Sequence, residues 1–277
     1  MRRFIPTLLC LVALCAHAQK YKGDSWATVK ANGSGTLTVI YYEQPGLIYK
    51  ADDGAMKGVC ADIISDFVDY VQKKYGKKIT VNYAGKEQVF TEFLKISQET
   101  PNILGVTNTS ITTERKKAMK FTPPFMSNPL VLLTHKDAPN LKVLEESATK
   151  FKGFSAVGIK GSTHMIQIER IKRNYLPALS ISTANSGTEI LRQLGTNQKL
   201  FSVLDFAEYV DATRNKLPVK RQAVDLGSDE DLGFIMSLKS DWDVIWSEFL
   251  TPDYRKSTRY KKIIANNLGT SFLGIIK

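Results

Sequence analysis

Strand-like and helix-like segments alternate along this chain in two runs, and that alternation constrains the fold more than any other feature. Residues 36–42, TLTVIYY, are β-branched and aromatic and lie between NGSG and Pro45-Gly46, which predicts a strand running into a loop. In residues 61–76, Ile63, Ile64, Phe67, Val68 and Val71 recur at helical spacing and Gly76 closes the pattern. A second strand, KITVNYAG, a helix, VFTEFLKISQET, and a short apolar strand, NILGVTN, follow. After FTPPFMSNP the strand LVLLTH leads into FSAVGIK, THMIQIERIKRNY, LSIST, GTEILRQLG, LFSVLD, FAEYVDATRN and VKRQAV, again strand against helix. A tail of strand GFIMSL and helices DWDVIWSEFL and YRKSTRYKKIIANNLG completes the pattern. Such alternation predicts an α/β fold of mainly parallel sheets joined by right-handed crossovers, and two runs predict two lobes.

Residues 1–18 carry a basic start (Arg2, Arg3), a short apolar run and Ala16-His17-Ala18, the layout of a cleaved secretory signal. The run is shorter than the ~20 apolar residues needed to span a bilayer. A lipid anchor on Cys15 is the competing reading, and Leu14 stands where a small residue would be expected. Cys10 and Cys15 fall inside the signal, so a mature chain of 277 − 18 = 259 residues keeps only Cys60 and must rest on core burial rather than disulfides. Loss of two arginines takes the formal charge from +11 to 36 − 27 = +9. The lysines are spread as pairs, such as Lys73-Lys74 and Lys261-Lys262, without aromatic interleaving or a finger motif. That reads as a solvated basic surface and excludes a nucleic-acid partner.

In open α/β sheets ligands sit beyond the carboxyl ends of the strands. Three loops of this kind carry polar clusters: TNTSITTER, KGSTH and LDFAEY. Arg115 either binds a carboxylate with its planar fork or pairs with Glu114 at the start of a helical turn. Ser162 and Thr163 open a helix, where they cap it, face an anion, or do both. Asp205 ends an apolar strand as a helix cap or a ligand contact. Tyr42 and Glu43 end the first strand and are expected to point into the same cleft. His164 adjoins the anion loop and faces either ligand or solvent. His135 reads as structural, and Trp242 and Trp246, at helical spacing, read as core. No nucleophile elbow, HExxH or phosphate loop with Lys is present, so no cofactor or metal is expected.

Several of these segments appear in the order of a known family. PGLIYKADDGAMKGVCAD (45–62) keeps Gly54, Gly58 and Asp62 in place, and TNTSITTERKKAMKFTPPF, VGIKGSTHM, LRQLGTNQKLFSVLD and LGFIMSL follow. The chain resembles the extracytoplasmic solute-binding proteins of the polar amino-acid uptake family (bacterial family 3), over residues 36 to 269. The resemblance implies a two-lobed type II periplasmic binding protein fold with a hinge and an interlobe cleft. Lobe 1 would comprise 19–128 and 227–277, and lobe 2 would comprise 129–226. It also implies that Ser110, Arg115, Gly161, Ser162 and Thr163 hold a ligand's carboxylate and that Asp205 holds its amino group. Departures are Asn108 where the family has Gly, Leu200-Phe201 where it has Asp-Ala, and Leu47-Ile48 where aromatic and acidic residues are common.

These implications describe a monomeric periplasmic protein that binds a small carboxylate-bearing solute, an amino acid or derivative, and presents it to a membrane ABC permease or a sensor receptor. An alternative on the same scaffold is a lyase of the cyclohexadienyl dehydratase type, with His164, Asp205 or Glu208 as acid or base.

Overall fold

The computed structural model describes residues 21–227 and 229–274. The signal reading of residues 1–18, with Cys10 and Cys15, lies outside them. Helix α1 (Trp26–Asn32) enters strand β1 (Ser34–Tyr42), followed by the small hairpin β2 (Tyr49–Lys50) and β3 (Met56–Lys57), helix α2 (Val59–Tyr75) and strand β4 (Lys78–Glu87). Helix α3 (Phe90–Glu99), strand β5 (Ile103–Val106), the single turn α4 (Thr113–Lys116) and strand β6 (Met119–Phe121) complete this half. The second half contains β7 (Met126–His135), α5 (Ser147–Lys150), β8 (Ser155–Ile159), α6 (Thr163–Tyr175), β9 (Ser180–Ala184), α7 (Gly187–Thr196), β10 (Leu200–Asp205), α8 (Phe206–Arg214) and β11 (Val219–Arg221). Strands β12 (Asp229–Leu232) and β13 (Ile235–Ser237) return the chain, and helices α9 (Trp242–Phe249), α10 (Pro252–Lys256) and α11 (Thr258–Leu268) end it.

Beside the β2-β3 hairpin, two larger sheets result, ordered β4-β1-β5-β13-β6 and β11-β7-β10-β8-β9, with β12 also paired to β7 in the second. The pairs β1/β4, β1/β5, β8/β9 and β8/β10 are parallel, as helical crossovers require, whereas β7 and β13 pair antiparallel because they carry the chain across and back. One core runs from the first sheet onto part of the second, and a smaller cluster packs elsewhere on the second sheet. Phe67 stacks on Trp246 at 3.9 Å between ring centres and meets Trp242 edge-on in the first, and Phe151 stacks on Phe154 in the second. Trp242 and Trp246 are fully buried, in keeping with their helical spacing.

The sequence did not predict β12. The acidic run Asp229-Glu230-Asp231 lies antiparallel along the first half of β7, with Glu230 opposite Asn128 and Leu232 opposite Met126. The two crossings therefore form one ribbon. Ser110 bridges to Leu232, and Ile111 N–H donates to the Asp231 carbonyl, so the loop after β5 is fastened to this ribbon.

Candidate functional site

The carboxyl ends of β1, β5, β8 and β10 face one another between the sheets, and the polar loops meet there. After β5 the chain leaves the sheet at Val106 and turns into α4 at Thr113. Thr112 caps the α4 turn by accepting from Arg115 N–H, and the turn aims the guanidinium across the cleft. Arg115 Nη1 donates to the Ser110 carbonyl at 2.9 Å and Nη2 to the Gly161 carbonyl of the other lobe at 3.1 Å. Its plane lies over Phe90, 5.6 Å from the ring centre, and Phe90 packs edge-on against Tyr42. Burial lowers the Arg115 pKa while the charge of Glu230 works the other way, and an arginine remains cationic under both influences. Glu114, the alternative partner, pairs with Lys117 instead.

Gly161 adopts φ +78°, where a Cβ would also press on Thr91 at 2.9 Å, so the tight turn into α6 requires glycine. Ser162 is a helix cap: its hydroxyl donates to the Ile159 carbonyl at 2.7 Å and accepts from Met165 N–H. Thr163, the next residue, turns its hydroxyl into the cleft, 3.1 Å from the Ser110 hydroxyl of the opposite lobe. Both hydroxyls donate to Oε2 of Glu230, Thr163 at 2.8 Å and Ser110 at a closer approach.

The other end of the cleft is built on β10. Asp205 is fully buried and accepts from the Asn108 amide across the cleft, and its Oδ1 lies 3.2 Å from His164 Nε2. Its own N–H donates to Glu208 Oε2 at 2.7 Å. Glu208 fits there because residue 187 is glycine; a Cβ at that position would sit 2.0 Å from Glu208 Oε1. Burial by itself would pull the His164 pKa down, but the adjacent Asp205 carboxylate, helped by Glu208 and Glu230, outweighs it and lifts the pKa to about 9. Burial first, then the Asp205 charge, raises Glu208 to about 7, against the pull of His164 and the Gln44 amide. The cleft thus sets beside Asp205 an imidazole and a carboxyl that both hold their protons more tightly than usual. Tyr42 closes the rim by donating its hydroxyl to the Asn185 carbonyl of the other lobe.

The arrangement brings Tyr42, Asn108, Ser110, Arg115, Gly161, Thr163 and Asp205 into one interlobe cleft, with Ser162 holding the helix behind it. Glu43 departs from expectation. Successive strand side chains point to opposite faces; Tyr42 takes the cleft, and Glu43 pairs with Lys86 on the neighbouring strand. His164 is 5% exposed, so the cleft-facing alternative holds rather than the solvent one. Glu230, Phe90 and Gln44 were not singled out from the sequence. His164, Asp205 and Glu230 each offer a ligating atom within 4.8 Å of the others. The His164 nitrogen is already opposite Asp205, and Glu230 is already held by two hydroxyls, so the set reads as an ion-pair and hydrogen-bond network rather than a metal cage.

No protein-family model and no curated protein matches the sequence. Solved structures do. A substrate-binding protein of an ABC uptake transporter from Streptococcus pneumoniae, with bound histidine, superposes with a TM-score of 0.70 at 19% identity, covering 89% of this chain and 97% of that one. An ancestral arginine-binding protein bound to arginine gives 0.65 at 21% identity, covering 84% and 98%. An ancestral amino acid-binding protein, described as a precursor of cyclohexadienyl dehydratase, gives 0.65 at 21% identity, covering 87% and 98%. Identity at this level carries the architecture and leaves the ligand open. The chain has the two-lobed fold of the type II periplasmic binding proteins.

Proposed function

We propose that the chain is an extracytoplasmic binding protein for a small carboxylate-bearing solute, an amino acid or a derivative of one, serving ABC-type uptake or sensing. The observation that carries this reading is the polarity of one buried cleft: the Arg115 fork and the Ser110 and Thr163 hydroxyls at one end, and the Asp205 carboxylate at the other. A zwitterion matches that polarity. The lobes of this proposal are 19–128 with 227–277, and 129–226, and the route to the periplasm is a signal peptide over residues 1–18. Thermal shift and calorimetry with L-arginine, L-histidine, L-glutamine and L-cystine test it. A ligand at 100 times its dissociation constant should add about 2.7 kcal/mol of stability. No stabilisation by any amino acid or related amine would reject it.

One observation favours a second reading. Glu208, its carboxyl near neutrality, and a protonated His164 flank Asp205 inside the cleft, as an acid–base pair would. A periplasmic lyase would show conversion of its bound ligand over time by NMR, abolished in His164→Asn. A ligand recovered unchanged leaves the binding reading alone.

A further inference from the structure

The ends of the cleft are already occupied by the chain's own groups. Ser110 and Thr163, 4% and 9% exposed and drawn from opposite lobes, aim their hydroxyls at a single oxygen, Glu230 Oε2. The Arg115 guanidinium lies close enough for its charge to be felt. Two convergent hydroxyls beside a guanidinium are the cradle that the proposed reading assigns to a ligand's carboxylate. Beside it, within 4.8 Å of Glu230, His164 and the Asn108 amide face Asp205, where a ligand's cation would sit. Between the Tyr42, Phe90, Arg115 and His164 side chains, only about 10 Å³ is open to the centres of water-sized spheres, close to the ~10–15 Å³ needed to hold one water molecule.

We infer that Glu230 is a built-in occupant of the anion cradle: its carboxylate stands where a ligand's carboxylate would, the lobes close upon it without ligand, and an incoming carboxylate has to displace it. The placement is specific. Strand alternation sends Asp231 outward to Ser127 and Glu230 inward. The ladder to β7 fixes the Glu230 backbone in the crossing ribbon, so eviction needs only rotation of its side chain. Without that carboxylate, closure would leave the Ser110 and Thr163 hydroxyls only each other to bond and would bury the Arg115 charge without the negative charge that faces it, which is unfavourable. With it, both hydroxyls have a carboxylate acceptor from the chain itself in the closed state, and binding is weakened in inverse proportion to the fraction of molecules that are open. If about one molecule in ten is open, apparent affinity falls about tenfold.

The affinity half of this inference rests on the amino-acid reading, whereas the conformational half does not. Small-angle scattering on the ligand-free mature chain should therefore show a compact wild type and a larger radius of gyration for Glu230→Ala. Glu230→Gln, which keeps the shape and removes the charge, should fall between them; thermal melts establish that each variant is folded. Calorimetry with L-arginine, L-histidine and L-glutamine should show binding up to about tenfold tighter to Glu230→Ala than to wild type, with Glu230→Gln between them. An open wild type, or variants as compact as wild type that bind no more tightly, would overturn the inference. Opening of the variants with no binding of any probe would support the latch and reject the amino-acid reading instead.

Discussion

His164 and Asp205 form a buried ion pair across two helix starts, with Nε2 3.2 Å from Oδ1 and both side chains almost sealed from solvent. His164 lies in the first turn of α6 and Asp205 precedes α8, so the pair ties together the starts of these two helices.

Stability should fall as pH rises through the neutral range. His164 and Glu208 both have folded-state pKa values above their ordinary ones, at about 9 and about 7. A group that binds its proton more tightly when folded stabilises the native state at low pH and loses that contribution as pH rises through the folded value. Glu208 acts between about pH 4.5 and 7, and His164 between about 6.5 and 9. Together they should remove on the order of a few kcal/mol, at 1.36 kcal/mol for each pKa unit. Melting temperatures measured from pH 5 to 9.5 should decline, and His164→Asn should flatten the upper part of the curve. An identical profile in that variant would assign the decline to other groups.

Arg115→Ala should leave the fold intact and weaken carboxylate ligands by about 2–5 kcal/mol, because a charge-assisted partner disappears from a desolvated site. Calorimetry on the folded variant checks it, and unchanged affinity would remove Arg115 from the site.

Asp205→Asn should act selectively. An ammonium-bearing ligand should lose on the order of 1.5–3 kcal/mol, the range for hydrogen bonds to charged groups, while an anionic or neutral analogue should lose far less. The same substitution should bring the His164 imidazole titration down from about 9, readable by NMR, because burial then acts without its main opponent. A uniform loss across ligands would mean that Asp205 shapes the cleft without reading charge.

Trp246→Ala should destabilise the first lobe by about 3–5 kcal/mol, the usual cost of deleting a buried large aromatic. Trp246 stacks on Phe67, meets Phe234 and Phe249 edge-on, and is fully sealed from solvent. A lower urea midpoint with little change in ligand affinity is expected; a drop below 1 kcal/mol would mean the core closes over the gap.

The strand and helix pattern was legible because each segment states its own period: the α2 stripe from Ile63 to Val71 and the strand residues of β1 need no distant information. The loops holding Ser110, Arg115, Thr163 and Asp205 were legible through motif order. Glu230 was not, because an acid in an acidic run looks solvated until a distant strand pairs with it. Tyr42 and Glu43 show the opposite limit. Both stand at the right strand end, and only the pleat decides that one enters the cleft and the other meets Lys86. Likewise, the ambiguity of His164 was one of helix rotation, resolved by the packing of α6 against β10.

The crossing ribbon of β7 and β12 has a consequence for how the protein moves. Its four register pairs, from Asp229 opposite Pro129 to Leu232 opposite Met126, join the outbound segment to the returning one and not one lobe to the other. Opening the cleft therefore breaks Tyr42–Asn185, Asn108–Asp205 and Arg115–Gly161 but spends none of the ribbon's hydrogen bonds. A tape of two antiparallel strands twists readily and shears poorly, so the lobes keep their registration through each excursion, like covers bound to one spine. Amide hydrogens in the tape should exchange slowly whether the cleft is shut or agape.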